Sequence, residues 1–479
     1  MKHAPVALPE LPSLVQPPLP AAAGEPSEAV RPPARGWRAL PLDRAILYAV
    51  AGRTWQGLAG VLSLWIIARS FSLELQGVYY IFLNLLAIQS FFDLGLTAVL
   101  VYVASHEWSA AQNQDVAGAV ARQRLGELLI RTRRWYAWCA AGFTLAAMIV
   151  GWWYFQDPKY AAIEWHGPWV VAVLLTAGSL CLSPWIVILE GCNFIVQVNA
   201  LRLIQAIVGN FVVWSVMLAG GELWAVAASV AVRFAAEIYL VAVTFRPFVR
   251  SMLAAIGAGP AAFSWGAELL PLQWRIGVTS VASYFLWSAY TPLVAKYHGL
   301  EIGGRMGMTL TAVSTIQMVA LVWIQTRVPR IGALIARSQQ EEARRLFHRM
   351  LASCLAVYVA GSVAFVGLVL VLRAWQPSLA ARVLDPRDVA LFEAGMGVSL
   401  LISGLATYVR AHKIDPFLWI GLFNAAVTGS CVWYFGKTQG PGGAALAHLC
   451  GTSIVMLPAT LYIYRNVSSQ RTSGATPPD

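Results

Sequence analysis

The chain has 479 residues, of which 58% are hydrophobic and only 12% are charged, and its mean hydropathy is +0.62. Soluble globular domains carry about 25% charged residues, so this composition excludes an ordinary soluble domain and is typical of a polytopic membrane protein. The formal net charge of +11 is compatible with a nucleic-acid partner. However, the basic residues concentrate in short loops between apolar runs, where they act as orientation signals, so no nucleic-acid partner is expected.

The six cysteines lie singly in or beside apolar runs, and their spacing matches neither a metal site nor a disulfide framework. No stretch resembles a phosphate-binding loop or a nucleotide-binding domain. We therefore expect no cofactor, no metal ligands and no catalytic residues. Any energy that the protein needs should come from an ion gradient or from later use of its product.

Residues 1–44 form a Pro-rich segment with little to bury, which predicts a disordered tail. This tail lacks the apolar region of a signal peptide, so the first membrane span should itself direct insertion. A span needs about 20 apolar residues to cross a hydrocarbon core of about 30 Å. Stretches of this kind are predicted near 46–68, 78–104, 135–155, 169–190, 203–220, 224–245, 276–296, 306–326, 351–373, 389–409, 416–436 and 444–464.

Basic residues set the predicted orientation. Most of them fall in segments that share one side of the membrane with both termini, so the positive-inside rule places residues 1–44 and a second disordered tail, 466–479, in the cytoplasm. Two inner loops, His106–Arg134 and Arg327–Arg349, carry most of this excess. Their amphipathic pattern favours helices along the membrane surface.

A short motif occurs twice, as LELQG at Leu73–Gly77 and as LEIGG at Leu300–Gly304, each in the outer turn before the second span of a six-span half. The same offset of about 227 residues also relates the two basic loops. Halves with an even number of spans have the same orientation and are parallel repeats. We therefore predict an all-α integral membrane protein with about 12 transmembrane helices in two lobes, 45–245 and 246–465, and a binding site between them.

Two charges lie in the first hairpin. Arg53 is in the first span and Asp93 is in the second, and a charge at the centre of a membrane helix costs at least ~2.5 kcal/mol. Each therefore needs the other, water or a ligand. Arg53 can also reach the inner headgroups with its long side chain, whereas Asp93 lies too deep for that and is either a structural partner or a proton-linked switch.

Arg233 and Glu237 lie one turn apart in the sixth span, as either an internal ion pair or an anion site with an orienting or proton-accepting carboxylate. Arg275 opens the seventh span in ELLPLQWR (Glu268–Arg275), as either an ordinary basic boundary or a cavity residue. Isolated polar side chains in spans more often connect helices than bind substrate. The others include Gln56, Asn84, Gln89, Asn210, Gln317, Gln325, Glu393 and Asn424.

The segment IIARSFSLELQGVYYIFLNLLAIQSFFDLGL (Ile66–Leu96) resembles the start of polysaccharide biosynthesis proteins of the O-antigen flippase (Wzx) type. LEGCNFIVQVNALRLIQAIVGN (Leu189–Asn210) is similar to the family's turn between the fourth and fifth spans. The two basic loops and six-span halves match the multidrug/oligosaccharidyl-lipid/polysaccharide exporter superfamily over about residues 45–465. The Pro-rich tail departs from this pattern, and the two extra spans of the peptidoglycan branch are not found.

This resemblance implies a V-shaped pair of lobes that moves a polyprenyl-diphosphate-linked oligosaccharide across a bacterial inner membrane by alternating access. The diphosphate would meet Arg53, Arg233 and Arg275, because Arg binds phosphate in a fork geometry. Gln56, Asn84 and Gln317 are further candidate substrate contacts, and Asp93 and Glu237 are candidates for coupling to H+ or Na+. Membrane lipids and polysaccharide polymerase machinery are the other implied partners.

Two alternatives remain. A multidrug or cation antiporter of the same superfamily would be expected to line its cavity with carboxylates and aromatic side chains. A membrane-embedded polysaccharide polymerase or ligase would need a sizeable outer loop with catalytic Arg or His residues, whereas the predicted outer loops are short. We therefore predict a transporter rather than an enzyme.

Overall fold

The computed structural model describes residues 41–470 except 94, 113–115, 413, 415 and most of 255–287. Within that last range it describes residues 269, 273, 274, 277, 278, 281, 282, 284 and 286. Arg275 and the two predicted tails, apart from a few residues at their inner edges, lie outside the described residues.

All regular structure in the described part of the chain is helical. The first half comprises α1 (Pro41–Ser70), α2 (Leu73–Leu86), α3 (Gln89–Asp93), α4 (Leu96–Ala111), α5 (Val116–Phe155), α6 (His166–Gly191), α7 (Ile195–Leu218), α8 (Trp224–Tyr239) and α9 (Arg246–Ala254). A π-helical turn, Leu240–Thr244, prolongs α8.

The second half comprises α10 (Tyr290–His298), α11 (Leu300–Gln325), α12 (Val328–Ala336), α13 (Gln340–Trp375), α14 (Pro377–Ala380), α15 (Pro386–Ala411), α16 (Leu418–Gly451) and α17 (Leu457–Gln470). Gly440 has a φ of 72° and is followed by Pro441, so α16 is kinked into two consecutive segments. The described residues of 273–286 are helical and precede α10.

Nine described stretches are long and apolar enough to cross a membrane. One of them, Leu418–Ser468, contains both the eleventh and the twelfth predicted span, separated near the kink in α16. The helix α1, which is not one of these nine stretches, covers the first predicted span. The all-helical membrane fold predicted from the sequence is therefore confirmed.

The repeated motifs pack against each other where α2 crosses α11. A Cβ atom on Gly77 would lie 2.2 Å from the carbonyl oxygen of Leu300, and one on Gly304 would lie 3.0 Å from that of Leu73. The offset of 227 residues converts one contact into the other, as a two-fold axis between the halves requires. Small residues here let the two helices approach closely.

The second predicted span, 78–104, is not one continuous helix. After α2 the chain turns at Ala87, forms the five-residue α3 and restarts at α4 behind Gly95, which has a φ of 65°. Only glycine adopts this left-handed conformation without steric cost. The counterpart α11 runs unbroken for 26 residues, so the two halves differ at this point.

The helix ends also differ modestly from the predicted boundaries. The first helix begins at Pro41, and α17 continues to Gln470, past the predicted limit of the second lobe. The second basic loop contains α12 and the first turns of α13, in agreement with its amphipathic pattern.

Candidate functional site

Asp93 lies at the end of α3, beside the break in the second span. Its Oδ1 atom accepts hydrogen bonds from Tyr136 Oη on α5 and from Thr97 Oγ1 on α4, the latter at 2.7 Å. Among the described residues Asp93 forms no ion pair with Arg53. The structure therefore does not support the alternative in which Arg53 and Asp93 form an ion pair. Asp93 is hydrogen-bonded to two hydroxyl groups instead.

Arg53 is half-buried in α1 and makes no hydrogen bond or ion pair with any described side chain or backbone group. The neighbouring Trp55 turns toward α7, where its Nε1 donates to the carbonyl oxygen of Ala206 at 3.2 Å. Gln56 is exposed. This stretch of α1 thus presents a guanidinium and an amide that form no hydrogen bond with the described neighbouring helices.

Arg233 and Glu237 pair within α8, with Nε and Oε1 2.9 Å apart. The side chain of Arg233 is 46% exposed, whereas Glu237 is buried. The other carboxylate oxygen, Oε2, is buried without a hydrogen-bond partner in the described part of the chain. The internal ion pair, one of the two sequence alternatives, is present, and it leaves the guanidinium of Arg233 partly exposed.

The remaining candidates are dispersed. The Nδ2 atom of Asn84 donates to the carbonyl oxygen of Tyr80 at 2.7 Å, and its own carbonyl accepts from Tyr284 Oη at 3.1 Å. Gln317 is half-buried in α11 without a hydrogen bond to a described residue. Among all described candidates, only Arg233 and Glu237 are joined by a hydrogen bond or ion pair.

The most deeply buried carboxylate among the described residues is one that the sequence did not single out as a site residue. Glu393 on α15 is 4% exposed, and its Oε2 accepts from Tyr358 Oη at 2.6 Å and from Ser362 Oγ at 2.7 Å. Its Oε1 is buried and has no partner in the described structure. Glu393 was one of several isolated polar side chains; the spacing of Tyr358 and Ser362, one helical turn apart on α13, was the sequence signal that could have singled it out.

A second polar cluster lies nearby in the same half. His448 on α16 is 2% exposed, its Nδ1 lies 2.8 Å from Tyr290 Oη, and its Nε2 lies 3.3 Å from Ser399 Oγ. Ser399 and Glu393 are both on α15. The second half therefore contains two buried titratable side chains, Glu393 on α15 and His448 on α16, and α15 packs between α13 and α16.

Hydrogen bonds join the two halves at the end predicted to face outward. Gln76 Nε2 donates to the carbonyl oxygens of Gly304 at 2.9 Å and Arg382 at 3.0 Å. Tyr154 Oη donates to the carbonyl oxygen of Pro292 at 2.7 Å, and Lys159 Nζ lies 3.3 Å from that of Lys296. We call these contacts the outer latch. Burial lowers the pKa of Arg382 below its ordinary value, because desolvation disfavours its charge.

No protein-family model matches this chain, and no curated protein matches it in sequence. Solved structures do match. They include the Vibrio cholerae MATE transporter VcmN, as an aspartate mutant, with 13% identity over 90% of this chain and 97% of that one, and a TM-score of 0.58. The eukaryotic MATE transporter AtDTX14 has 11% identity over 91% and 98%, with a TM-score of 0.55.

A third match is a MOP superfamily transporter from Pyrococcus furiosus, described by the reverse polarity of its binding pocket. It is 13% identical over 90% of this chain and 96% of that one, with a TM-score of 0.54. At sequence identities this low, the similarity to these structures establishes a shared fold only. This multi-pass membrane protein therefore has the fold of the MATE transporters of the MOP superfamily.

Proposed function

We propose that this protein is an ion-coupled secondary exporter of the MATE type, which moves amphipathic organic solutes, cations among them, across a membrane. The fold supports this, because the MATE transporters VcmN and AtDTX14 share it over nine-tenths of the chain. The buried carboxylates also favour it, as the antiporter alternative anticipated. No enzymatic step is proposed.

The proposal of ion coupling rests on the surroundings of Glu393. A carboxylate buried among apolar helices costs several kcal/mol unless a proton or a cation neutralises it. Two hydroxyl groups bind one of its oxygens, no basic side chain among the described residues pairs with it, and its other oxygen is free. We infer that a proton or Na+ occupies Glu393 in part of the cycle and leaves it in another part.

Alternating access would require the outer latch to open. Its bonds join backbone carbonyl oxygens to one amide, one hydroxyl and one ammonium group, so water can replace each of them at modest cost. The excess of basic residues on one predicted face favours cytoplasmic termini, and we propose a bacterial inner membrane as the location.

The test is efflux of a fluorescent organic cation such as ethidium from proteoliposomes, driven in turn by a pH gradient and by a Na+ gradient. The wild-type protein should respond to one of them, and Glu393→Gln should lose that response while binding to the cation persists. Ser362→Ala is the matched control, because Tyr358 still donates to the carboxylate. Equal gradient-driven efflux by Glu393→Gln would contradict the proposed coupling.

Export of a lipid-linked oligosaccharide is the second candidate function. The half-exposed guanidinium of Arg233 favours it, as does Arg53, which pairs with no described residue, because both suit an anionic diphosphate. The structural neighbour from Pyrococcus furiosus is a MOP superfamily transporter whose reversed pocket polarity suggests a different function, which shows that this fold is compatible with other pocket charges. Arg233→Ala should then abolish export of a surface polysaccharide with the protein still in the membrane; unchanged export would exclude this function.

A further inference from the structure

The counterpart helix pairs in the two halves pack differently. In the first half α1 and α7 are held together by aromatic side chains: Trp55 donates to the carbonyl oxygen of Ala206, and Trp214 Nε1 donates to Ser63 Oγ at 2.8 Å. The repeated motifs are 227 residues apart, and at the same offset Trp55 of the first half corresponds to Ala282 of the second. A small side chain thus occupies the position where the first half has a tryptophan.

A groove of about 1090 Å³ lies at this position, between the described residues of 274–293 and α16. Its walls are almost entirely apolar, and small residues such as Gly277, Ala282, Ala426 and Gly429 form much of them. On α16 the groove extends from Leu422 to Tyr434, which corresponds to about 18 Å of helix. One leaflet of the hydrocarbon core is about 15 Å thick, so the groove matches the reach of a single acyl chain.

A cation stands at one end of the groove. Lys437 follows Trp433 by one turn, and its ammonium group lies 5.5 Å from the Trp433 ring and 5.2 Å from the Tyr297 ring. His298 Nε2 contacts the carbonyl oxygens of Gly436 and Lys437 at 2.9 and 3.0 Å, which fixes this end of the helix segment. Lys437 is exposed and forms no ion pair with a described acidic residue.

We propose that this groove binds one acyl chain of an anionic phospholipid, with the lipid phosphate at Lys437. The apolar length suits a chain from the leaflet on the outward side, and the lysine suits the negative headgroup above it. This site is separate from Glu393 and from Arg233, and it would be occupied whether or not the protein transports a solute.

Photolabelling tests the proposal with the full-length protein in phosphatidylcholine vesicles. Two probes are used, phosphatidylglycerol and phosphatidylcholine with the same diazirine-bearing acyl chain, and labelled peptides are mapped by mass spectrometry. The phosphatidylglycerol probe should label residues 422–434 about fivefold more than the phosphatidylcholine probe, as one lysine near a membrane surface implies. Lys437→Gln should remove this preference.

Gly429→Leu tests the groove itself. A Cβ atom on Gly429 meets nothing within 4 Å, so the larger side chain can enter the groove without displacing backbone. This variant should lose the labelling, whereas Gly421→Leu, on the same helix with equally open space and outside the groove, should keep it. Ala426→Phe provides a second groove-filling variant, should Gly429→Leu fail to fold.

Three results would overturn the proposal. One is undiminished labelling in a folded Gly429→Leu or Ala426→Phe protein. Another is equal labelling of the wild type by the two probes. The third is displacement of the probe by ethidium, which would assign the groove to a solute instead of a lipid.

Discussion

At the scale of single residues, three acids in the described spans, the half-buried Asp93 and the buried Glu237 and Glu393, are stabilised in three different ways. Asp93 accepts hydrogen bonds from two hydroxyl groups, Glu237 pairs with an arginine one turn away, and Glu393 combines two hydroxyl partners with one free oxygen. A charge in a low-dielectric interior must be neutralised or hydrogen-bonded. Because the partners of the three acids differ, a different substitution tests the role of each.

Asp93→Asn should preserve the fold, because an amide oxygen can still accept from Tyr136 and Thr97. If Asp93 carries a coupling proton, this variant should lose the dependence of transport on the pH gradient, measured in proteoliposomes. Tyr136→Phe serves as the control for the hydrogen bond alone. An unchanged pH-gradient dependence in Asp93→Asn would leave Asp93 with a purely structural role.

Arg233→Ala should reduce the free energy of unfolding by about 1–3 kcal/mol, because it removes the hydrogen-bond partner of the buried Glu237. The double variant Arg233→Ala/Glu237→Gln should recover most of that loss, since the orphaned charge is gone. Thermal unfolding in detergent measures both. If the single variant is as stable as wild type and only transport is lost, Arg233 acts on the substrate and not on the fold.

At the scale of helices, the break in the second span is the main departure from the repeat. Polar residues and Gly95 interrupt the first-half helix, whereas α11 continues unbroken at the corresponding place. The Phe91 and Tyr284 rings lie 4.6 Å apart, so the other half contacts the broken segment. Interrupted helices at membrane depth commonly line the sites of secondary transporters.

Gly304→Ala tests the crossing of α2 and α11. The added Cβ would lie 2.8 Å from the backbone nitrogen of Gly77, and backbone cannot move aside as a side-chain tip can. Overpacking of this kind costs about 1–3 kcal/mol, so the melting temperature should fall. Gly367→Ala, which meets nothing within 4 Å in α13, should leave it unchanged or raise it. Equal stability of the two variants would mean that the helices do not cross this closely.

At the scale of the whole molecule, the outer latch decides whether the halves can part. Lys159 and Lys296 come from different halves and line one small cavity with Trp153 and Asp157. The ammonium group of Lys296 lies 3.5 Å from the Trp153 ring, so both amines are held at this surface.

A short, cleavable amine-reactive cross-linker should join Lys159 to Lys296 and stop solute efflux from proteoliposomes. Cleaving the linker should restore efflux, because the halves can separate again. Lys159→Arg keeps the positive charge but cannot react with the linker, and so provides the control. Full efflux from the cross-linked protein would show that transport does not need this end to open.

The sequence alone determined the membrane class, the number of spans and the internal repeat. Hydrophobic runs of about 20 residues must be helical in lipid, because no other backbone arrangement satisfies its own hydrogen bonds within one segment. The duplicated motif indicated the repeat, and the structure then showed that its glycines, Gly77 and Gly304, lie where α2 and α11 pack closely.

Only the tertiary structure decided which polar side chains meet. Asp93 could have paired with Arg53, and only the packing of α3 and α4 against α5 gave it Tyr136 and Thr97 instead. Glu393 looked like any isolated polar residue until the approach of α13 surrounded it with Tyr358 and Ser362. The physical reason is that a span's hydrophobicity depends on its own composition, whereas a buried charge is stabilised by partners far away in sequence.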